Sequence, residues 1–518
     1  MSETERSILT HYPLPITHYP MKQLTLISRA ALHGNRTAII SREGEFTYRQ
    51  LLERSAKAAA CLLEGKDELQ EARVAFLVPS GFDYVATQWG VWRAGGIAVP
   101  LCVSHPPPEL AYVIDDAQAT IIVCHPKFAS KLQPIAKTRG VRFISTKHLY
   151  DATETVLPQV DPQRRAMMIY TSGTTGKPKG VVITHNNIEA QVMSLISAWE
   201  WTSEDHILLM LPLHHIHGII NVLTCALWAG AICQMRHKFD AYEVWDRFIA
   251  DNLTLFMAVP TIYVKLIATW KAASPNQRKV MSDACSKLRM MVSGSAALPV
   301  SVLEKWKKIS GHILLERYGM TEIGMGLSNP LHGKRVPGHV GTPLPGVEAR
   351  LVDEEGNVTS GDEPGEIQIK GPGVFLEYWQ RVDATQNAFC DGWFCTGDMA
   401  VIENGNYRIF GRKSTDIIKT GGYKVSGLEI KEVLHTHSAI EECAVVGVKD
   451  STWGECVAVA LVLAPGTELT LEQLRTWGKE RLAIYKVPSK MITVKELPRN
   501  AMGKVIKPEV VKLMSATD

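Results

Sequence analysis

Between Arg73 and Cys124 the chain alternates short apolar runs with amphipathic ones, and this alternation constrains the fold more than any other feature. Val74-Ala75-Phe76-Leu77-Val78 reads as a buried strand. A helix follows with Phe82, Val85, Trp89 and Trp92 on one face, then the strand Gly96-Ile97-Ala98-Val99-Pro100, a helix near 109–116 and the strand Thr120-Ile121-Ile122-Val123-Cys124. Fully apolar strands joined by helices imply parallel sheets covered on both faces. The same grammar recurs at 206–211, 254–259 and 288–293, each run ending in a Pro, Gly or Ser loop, where parallel sheets usually place their ligands. Beyond Pro345 the texture changes to short strands broken by turns, such as 346–352 and 365–369, which predicts a small barrel-like subdomain. After Arg412 a polar joint, Lys413-Ser414-Thr415-Asp416, leads into about a hundred further residues. The expected class is α/β. A large N-terminal domain (1–411) carries two helix-covered, mostly parallel sheets plus the β-barrel-like subdomain; a hinge (412–416) leads to a smaller, mobile α+β C-terminal domain (417–518).

One loop points to chemistry. Tyr170-Thr171-Ser172-Gly173-Thr174-Thr175-Gly176-Lys177-Pro178-Lys179-Gly180 packs hydroxyls, glycines and lysines densely enough to cradle phosphate oxygens. The Walker spacing is absent, because Thr171 stands where that pattern needs glycine and Pro178 where it needs Ser or Thr. A mobile surface loop is the alternative, but apolar strands at 166–170 and 180–184 grip the segment at both ends.

The net charge of +3 forms no basic stripe, so nucleic acid is not an expected partner. The longest apolar stretch, Gly218 to Cys233, falls short of the roughly 20 residues a bilayer span needs. The ten cysteines include no C-x-x-C pair and sit mostly in apolar runs, as expected of reduced, buried thiols. Met1-Ser2-Glu3-Thr4-Glu5-Arg6 lacks a secretory or presequence character, which predicts a cytoplasmic protein.

Further signatures follow in order: Ser293-Gly294-Ser295-Ala296-Ala297-Leu298, Tyr318-Gly319-Met320-Thr321-Glu322, Thr396-Gly397-Asp398, Gly411-Arg412, Gly421-Gly422-Tyr423-Lys424-Val425 and Gly503-Lys504. Together with the loop they resemble the adenylate-forming superfamily of acyl-CoA synthetases, luciferases and peptide-synthetase adenylation domains. The resemblance implies ATP and CoA as cosubstrates, Mg²⁺, and two steps: a carboxylate attacks the α-phosphate of ATP, then a thiol attacks the acyl-AMP. It implies that Thr171, Ser172, Gly173, Thr174, Thr175, Gly176, Lys177 and Lys179 hold phosphates. Ser295, Ala296 and Ala297 flank the adenine, and Tyr318 stacks on it beside Gly319, Met320 and Thr321. By the same matching Glu322 holds the metal, Asp398 the ribose with help from Arg412, and Lys504 bridges the carboxylate and α-phosphate. Gly421, Gly422 and Tyr423 line the CoA channel, with Asp416 or Lys413 as pivot, and His215 lies near the reacting carboxylate. Two departures stand out: one extra residue between Arg412 and the double glycine, and Gly427 where many members carry proline. His214 and His217 read as packing residues rather than zinc ligands, and Lys507 and Lys512 as solvent lysines.

Arg317 precedes the Tyr-Gly-Met-Thr-Glu motif where many fatty acyl members have glycine. A guanidinium facing the acyl pocket without a partner carries a desolvation penalty that a hydrocarbon tail does not offset, whereas a second carboxylate does. With Lys265 as a second cation and Ser295 as a hydroxyl donor, the local sequence resembles the branch of the superfamily that activates malonate, with methylmalonate left open. The alternatives are a ligase for fatty or aromatic acids, in which Arg317 is turned away in a structural ion pair, a non-catalytic nucleotide-binding regulator, and acyl transfer to a carrier-protein arm.

Overall fold

The computed structural model describes residues 24–153, 155–171, 177–413, 415–420, 423–450, 453–499 and 505–515. The expected alternation forms a seven-stranded sheet in the order Glu377–Tyr378, Lys179–Thr184, Arg165–Thr171, Ile97–Pro100, Arg73–Leu77, Ile121–Cys124 and Arg142–Ser145. Its last five strands run parallel. The strands gripping the phosphate-type loop pair antiparallel, with Thr171 opposite Lys179. The loop therefore connects two adjacent antiparallel strands, and not a strand to a helix.

Lys179–Thr184 leads straight into the helix His185–Trp199. Thr184 accepts from the Asn187 N–H while the Asn187 side chain accepts from the Thr184 N–H. This reciprocal cap satisfies donors that a helix start otherwise leaves orphaned.

A second, nine-stranded sheet contains Gly324–Ser328, Leu315–Met320, Met290–Ser293, Leu255–Ala258, His206–Leu209 and Ile232–Met235 in that order. The chain from Leu315 to His206 across it is parallel except for the hairpin of Leu315–Met320 with Gly324–Ser328. The long apolar stretch, too short for a bilayer span, forms most of a π-helix, His217–Thr224, that continues as Cys225–Ala229. Among the described residues no helix is long and apolar enough to cross a membrane.

The turn-rich region forms an antiparallel sheet of Glu348–Val352, Gly365–Lys370, Trp393–Glu403, Phe389–Cys390 and Asn406–Arg412. A further sheet, built from Ile417–Thr420, Tyr423–Ser426, Ile440–Asp450, Gly454–Leu463 and Lys490–Thr493, packs against its own helices. Apolar cores of residues up to Tyr407 and from Ile418 onward are separate. The architecture is the mixed α/β one expected, with a large N-terminal part and a smaller C-terminal part.

All ten cysteines are free and seven are buried. Cys390 departs from the expectation of burial: it is exposed at a hairpin end, its Sγ 3.0 Å from that of Cys395.

Candidate active site

Two neighbouring strand ends begin the site. Met290–Ser293 and Leu315–Met320 run in register, with Ser293 opposite Glu316, so Arg317 emerges beside Gly294 and Ser295. Strand alternation sends Glu316 and Arg317 to opposite faces. Glu316 accepts from the Gly338 N–H at 3.0 Å, and burial pushes its carboxyl up to about 8. Arg317 is 3 % exposed and meets no carboxylate among the described residues. Its Nη2 lies 3.4 Å from Ser295 Oγ, while Nε and Nη1 have no hydrogen-bond partner. Burial lowers its pKa to about 9. The structural ion pair entertained for Arg317 is thus absent among the described residues.

Ser295 holds the left-handed backbone at φ 66°, unusual outside glycine. Its Oγ also stands 3.2 Å from Nδ1 of His217, at the start of the π-helix. Because Arg317 has only protons to offer, Ser295 accepts from it and donates its own proton to Nδ1. Burial and the Arg317 charge hold His217 well below the ordinary histidine range, so the ring is neutral with Nε2–H unpartnered. Reading His217 as packing therefore missed a member of the site. The His-x-His spacing was the available signal, but the π-turn that aims the ring is invisible in it. His215 is half-buried, its Nε2 lacks a partner, and its ring lies 4.1 Å from that of His214. Lys265 sits on the helix Pro260–Ala272, exposed, with its ammonium 5.7 Å from the Phe239 ring and no hydrogen bond to the Arg317 cluster.

Next to this cluster stands a second one. The Tyr318 hydroxyl donates to Asp398 Oδ2 at 2.6 Å, and Arg412 Nη1 donates to Oδ1 at 3.1 Å. Asp398 and Arg412 are direct cross-strand partners in Trp393–Glu403 and Asn406–Arg412, which explains why residues fourteen apart meet. Burial raises the Asp398 pKa, and Arg412 works against that rise. Gly319, Met320 and Thr321 turn the chain toward Glu322, while Ala296 and Ala297 are exposed just after Ser295. Gly319 has no room for a Cβ because the Gly324 carbonyl occupies that space.

Glu322 is buried and accepts from the Tyr378 hydroxyl at 2.9 Å. Burial raises its pKa, against the opposing pull of that hydrogen bond. Lys179 Nζ lies 4.1 Å from the centre of the Tyr378 ring, a cation–π distance that ties the base of the loop to Glu322. Lys177 Nζ lies 5.3 Å from the Tyr112 ring. Below them Tyr112 donates to the Pro178 carbonyl, while Tyr170 and Arg381 both donate to Asp116. Tyr378, Asp116 and Arg381 carried no motif signal. They come from segments far apart in the chain, and only the sheet order brings them together.

Ser172, Gly173, Thr174, Thr175, Gly176, Gly421, Gly422 and Lys504 lie outside the described residues. Thr171 and Lys179 face each other at the loop base. Tyr423 stacks on Tyr485 at 4.2 Å, in the small C-terminal part. Lys507 corrects the expectation of a solvent lysine: it forms an ion pair with Asp416. Lys512 pairs with Glu509 on the surface.

A carboxylate-ready cation beside a Tyr–Asp–Arg cluster and a lysine-flanked hairpin is the equipment for handling an acid and a nucleotide together. The chain matches the AMP-binding enzyme family over residues 26–379 and the AMP-binding enzyme C-terminal domain over 429–504. It belongs to this family of adenylate-forming acyl-CoA synthetases, ligases whose cosubstrates are ATP and CoA. It is 45% identical to the Xenopus laevis protein named "Malonate--CoA ligase ACSF3, mitochondrial", over 94% of this chain and 91% of that one. The Arabidopsis thaliana "Malonate--CoA ligase" is 41% identical over 87% and 79%. The crystal structure of ATP-bound MatB from Rhodopseudomonas palustris superposes with a TM-score of 0.87 at 32% identity, covering 95% of this chain and 99% of that one.

Proposed function

We propose that the protein is an ATP-dependent malonate:CoA ligase, with methylmalonate left open as a second acid. The observation that carries this reading is Arg317: a buried guanidinium with two donor nitrogens unpartnered and no acid beside it among the described residues. Leaving such a charge unpaired costs several kcal/mol, and the second carboxylate of a short dicarboxylic acid is the group that relieves it. Ser295 and the Nε2–H of His217 extend the donor set, and His215 orients the reacting end. Lys265, exposed on the helix Pro260–Ala272, is the second cation of this reading. A fatty or aromatic acid would leave Arg317 without a partner.

In the first step a substrate carboxylate oxygen attacks the α-phosphorus and the bond to the β-phosphate breaks, releasing pyrophosphate. The loop Thr171 to Gly176, with Lys177 and Lys179, meets the charge that builds on the phosphates. Asp398 accepts from the ribose hydroxyls, Arg412 and Tyr318 hold Asp398, Ser295 to Ala297 flank the adenine with Tyr318 to Thr321 opposite, and Lys504 bridges the carboxylate and the α-phosphate. Glu322 is a hard oxygen donor, buried and fixed by Tyr378, and is the residue that would hold Mg²⁺. When bound, the ion neutralises charge on the departing pyrophosphate. In the second step the CoA sulfur, entering past Gly421, Gly422 and Tyr423, attacks the acyl carbonyl, and AMP leaves with the bonding pair. We divide the chain accordingly into 1–411, a joint at 412–416, and 417–518.

The test is CoA- and ATP-dependent AMP formation with malonate, methylmalonate, succinate, acetate, octanoate and benzoate, in the native protein and in Arg317→Gly. Malonate is expected to lead in the first and to lose that lead in the second. A native preference for octanoate or benzoate would overturn the reading.

A further inference from the structure

The small C-terminal part hangs on the joint, and one residue of that joint gathers contacts from both sides. Asp416 Oδ2 accepts from the Arg412 N–H at 2.9 Å, and the Asp416 N–H donates to the Arg412 carbonyl at 2.8 Å. Both contacts tie it to the strand that carries the Asp398 partner. From the other side, the Gly427 N–H donates to the Asp416 carbonyl at 2.8 Å. A Cβ on Gly411 would stand 2.6 Å from Asp416 Cβ, so only glycine lets the carboxylate fold back this way.

The remaining carboxylate oxygen, Oδ1, pairs with Lys507 Nζ, which also reaches the Thr415 carbonyl at 3.5 Å. Both members of the pair are largely shielded, with side-chain exposures of 21% and 17%. An ion pair so shielded is held more firmly than a surface one. Lys507 opens the helix Lys507–Ser515, anchored by Val510 and Met514 in the small part's core. Immediately before it, the Ile506 N–H donates to the Pro498 carbonyl, and Arg499 bridges Val505 antiparallel. These contacts close the base of the segment that contains Lys504. The residue tied to the joint thus lies three positions from the lysine assigned to the α-phosphate.

We propose that Lys507 is a positioning residue for adenylation: by pairing with Asp416 it fixes the base of the Lys504 segment to the joint, and so sets where Lys504 is delivered. This rests on the role of Lys504 proposed above. Lys507 touches neither substrate nor nucleotide. Its loss is expected to slow the step that uses Lys504 and to spare the thiol step that does not.

The two half-reactions separate the alternatives. ATP–pyrophosphate exchange with malonate reports the first, and CoA-dependent decay of enzyme-bound acyl-adenylate in quenched single turnovers reports the second. Lys507→Met is expected to lower exchange at least about fivefold while acyl transfer stays within about twofold, and Lys507→Arg to restore exchange. Asp416→Asn is expected to reproduce the defect, and the double variant to be no worse than either single one. Equal loss of both half-reactions, additive losses, or unchanged exchange in Lys507→Met overturns the proposal. Lys504→Ala is the control: loss of its exchange upholds the reading of Lys504 whatever Lys507 does, and retention overturns both.

Discussion

Arg317 packs so closely on Gly294 that a Cβ added to the glycine would stand 2.6 Å from Nη1. The glycine therefore belongs to the proposed acid site, because it supplies the space the guanidinium fills. Gly294→Ala is expected to push Arg317 off Ser295 and raise the KM for malonate by about tenfold, leaving the KM for ATP within about twofold. Steady-state kinetics in both substrates checks this. A selective loss on the ATP side would place Gly294 against the nucleotide instead.

Arg317 also makes a stability prediction. Burial holds its folded pKa, at about 9, below the ordinary arginine range, so the unfolded chain binds more protons between the two. Stability contributed by this site therefore rises as pH climbs through that window, and the full burial penalty is present at neutral pH. Arg317→Met is expected to melt several degrees above the native protein without substrate and to lose the stabilisation that malonate gives the native protein. Differential scanning fluorimetry with and without malonate reads both.

The parts of the molecule that could be read from sequence are those whose signal is local. Parallel strands such as Arg73–Leu77 and Ile121–Cys124 are short, wholly apolar runs between turn residues, and they fall within a residue or two of expectation. Arg317 was legible because it changes the chemistry of a position within a recognisable motif. Tyr378 and Asp116 were not, since nothing near either in sequence marks it; the edge pairing of Glu377–Tyr378 with Lys179–Thr184 puts the phenol beside Glu322. His217 failed for a third reason: its role depends on a π-turn, and an apolar run predicts burial without specifying the turn. Lys507 was misread because a lysine near a chain end looks solvated until the partner across the fold is known.

At the base of the phosphate-type hairpin, Asp116 takes hydrogen bonds from Tyr170 at 2.9 Å and Arg381 at 2.6 Å. The Asp116 carboxylate is well shielded, with 10% side-chain exposure, so removing a partner leaves a poorly solvated charge. Arg381→Ala is expected to raise the KM for ATP by about threefold to tenfold while leaving the acid preference unchanged. An altered malonate-to-acetate ratio would contradict the separation of the two clusters.

The link between Tyr378 and Glu322 yields a pH prediction whose sign follows from the opposing effects on one carboxylate. Burial raises the Glu322 pKa, and the phenol hydrogen bond, which favours the charged form, lowers it. Tyr378→Phe removes the lowering influence and leaves the raising one, so the carboxylate protonates at higher pH than in the native enzyme. The acidic limb of ATP–pyrophosphate exchange is expected to move toward neutrality. Raising Mg²⁺ should move it back, because a cation on Glu322 competes with the proton. Tyr378→Phe also removes the polar end of the ring that Lys179 covers but keeps its face, so the cation–π contact survives. Tyr378→Leu removes both, and is expected to add a fall in ATP affinity that Phe does not show. A limb that stays put in Tyr378→Phe at limiting Mg²⁺ would mean that Glu322 does not titrate in the reaction, and would take the metal-holding role away from it.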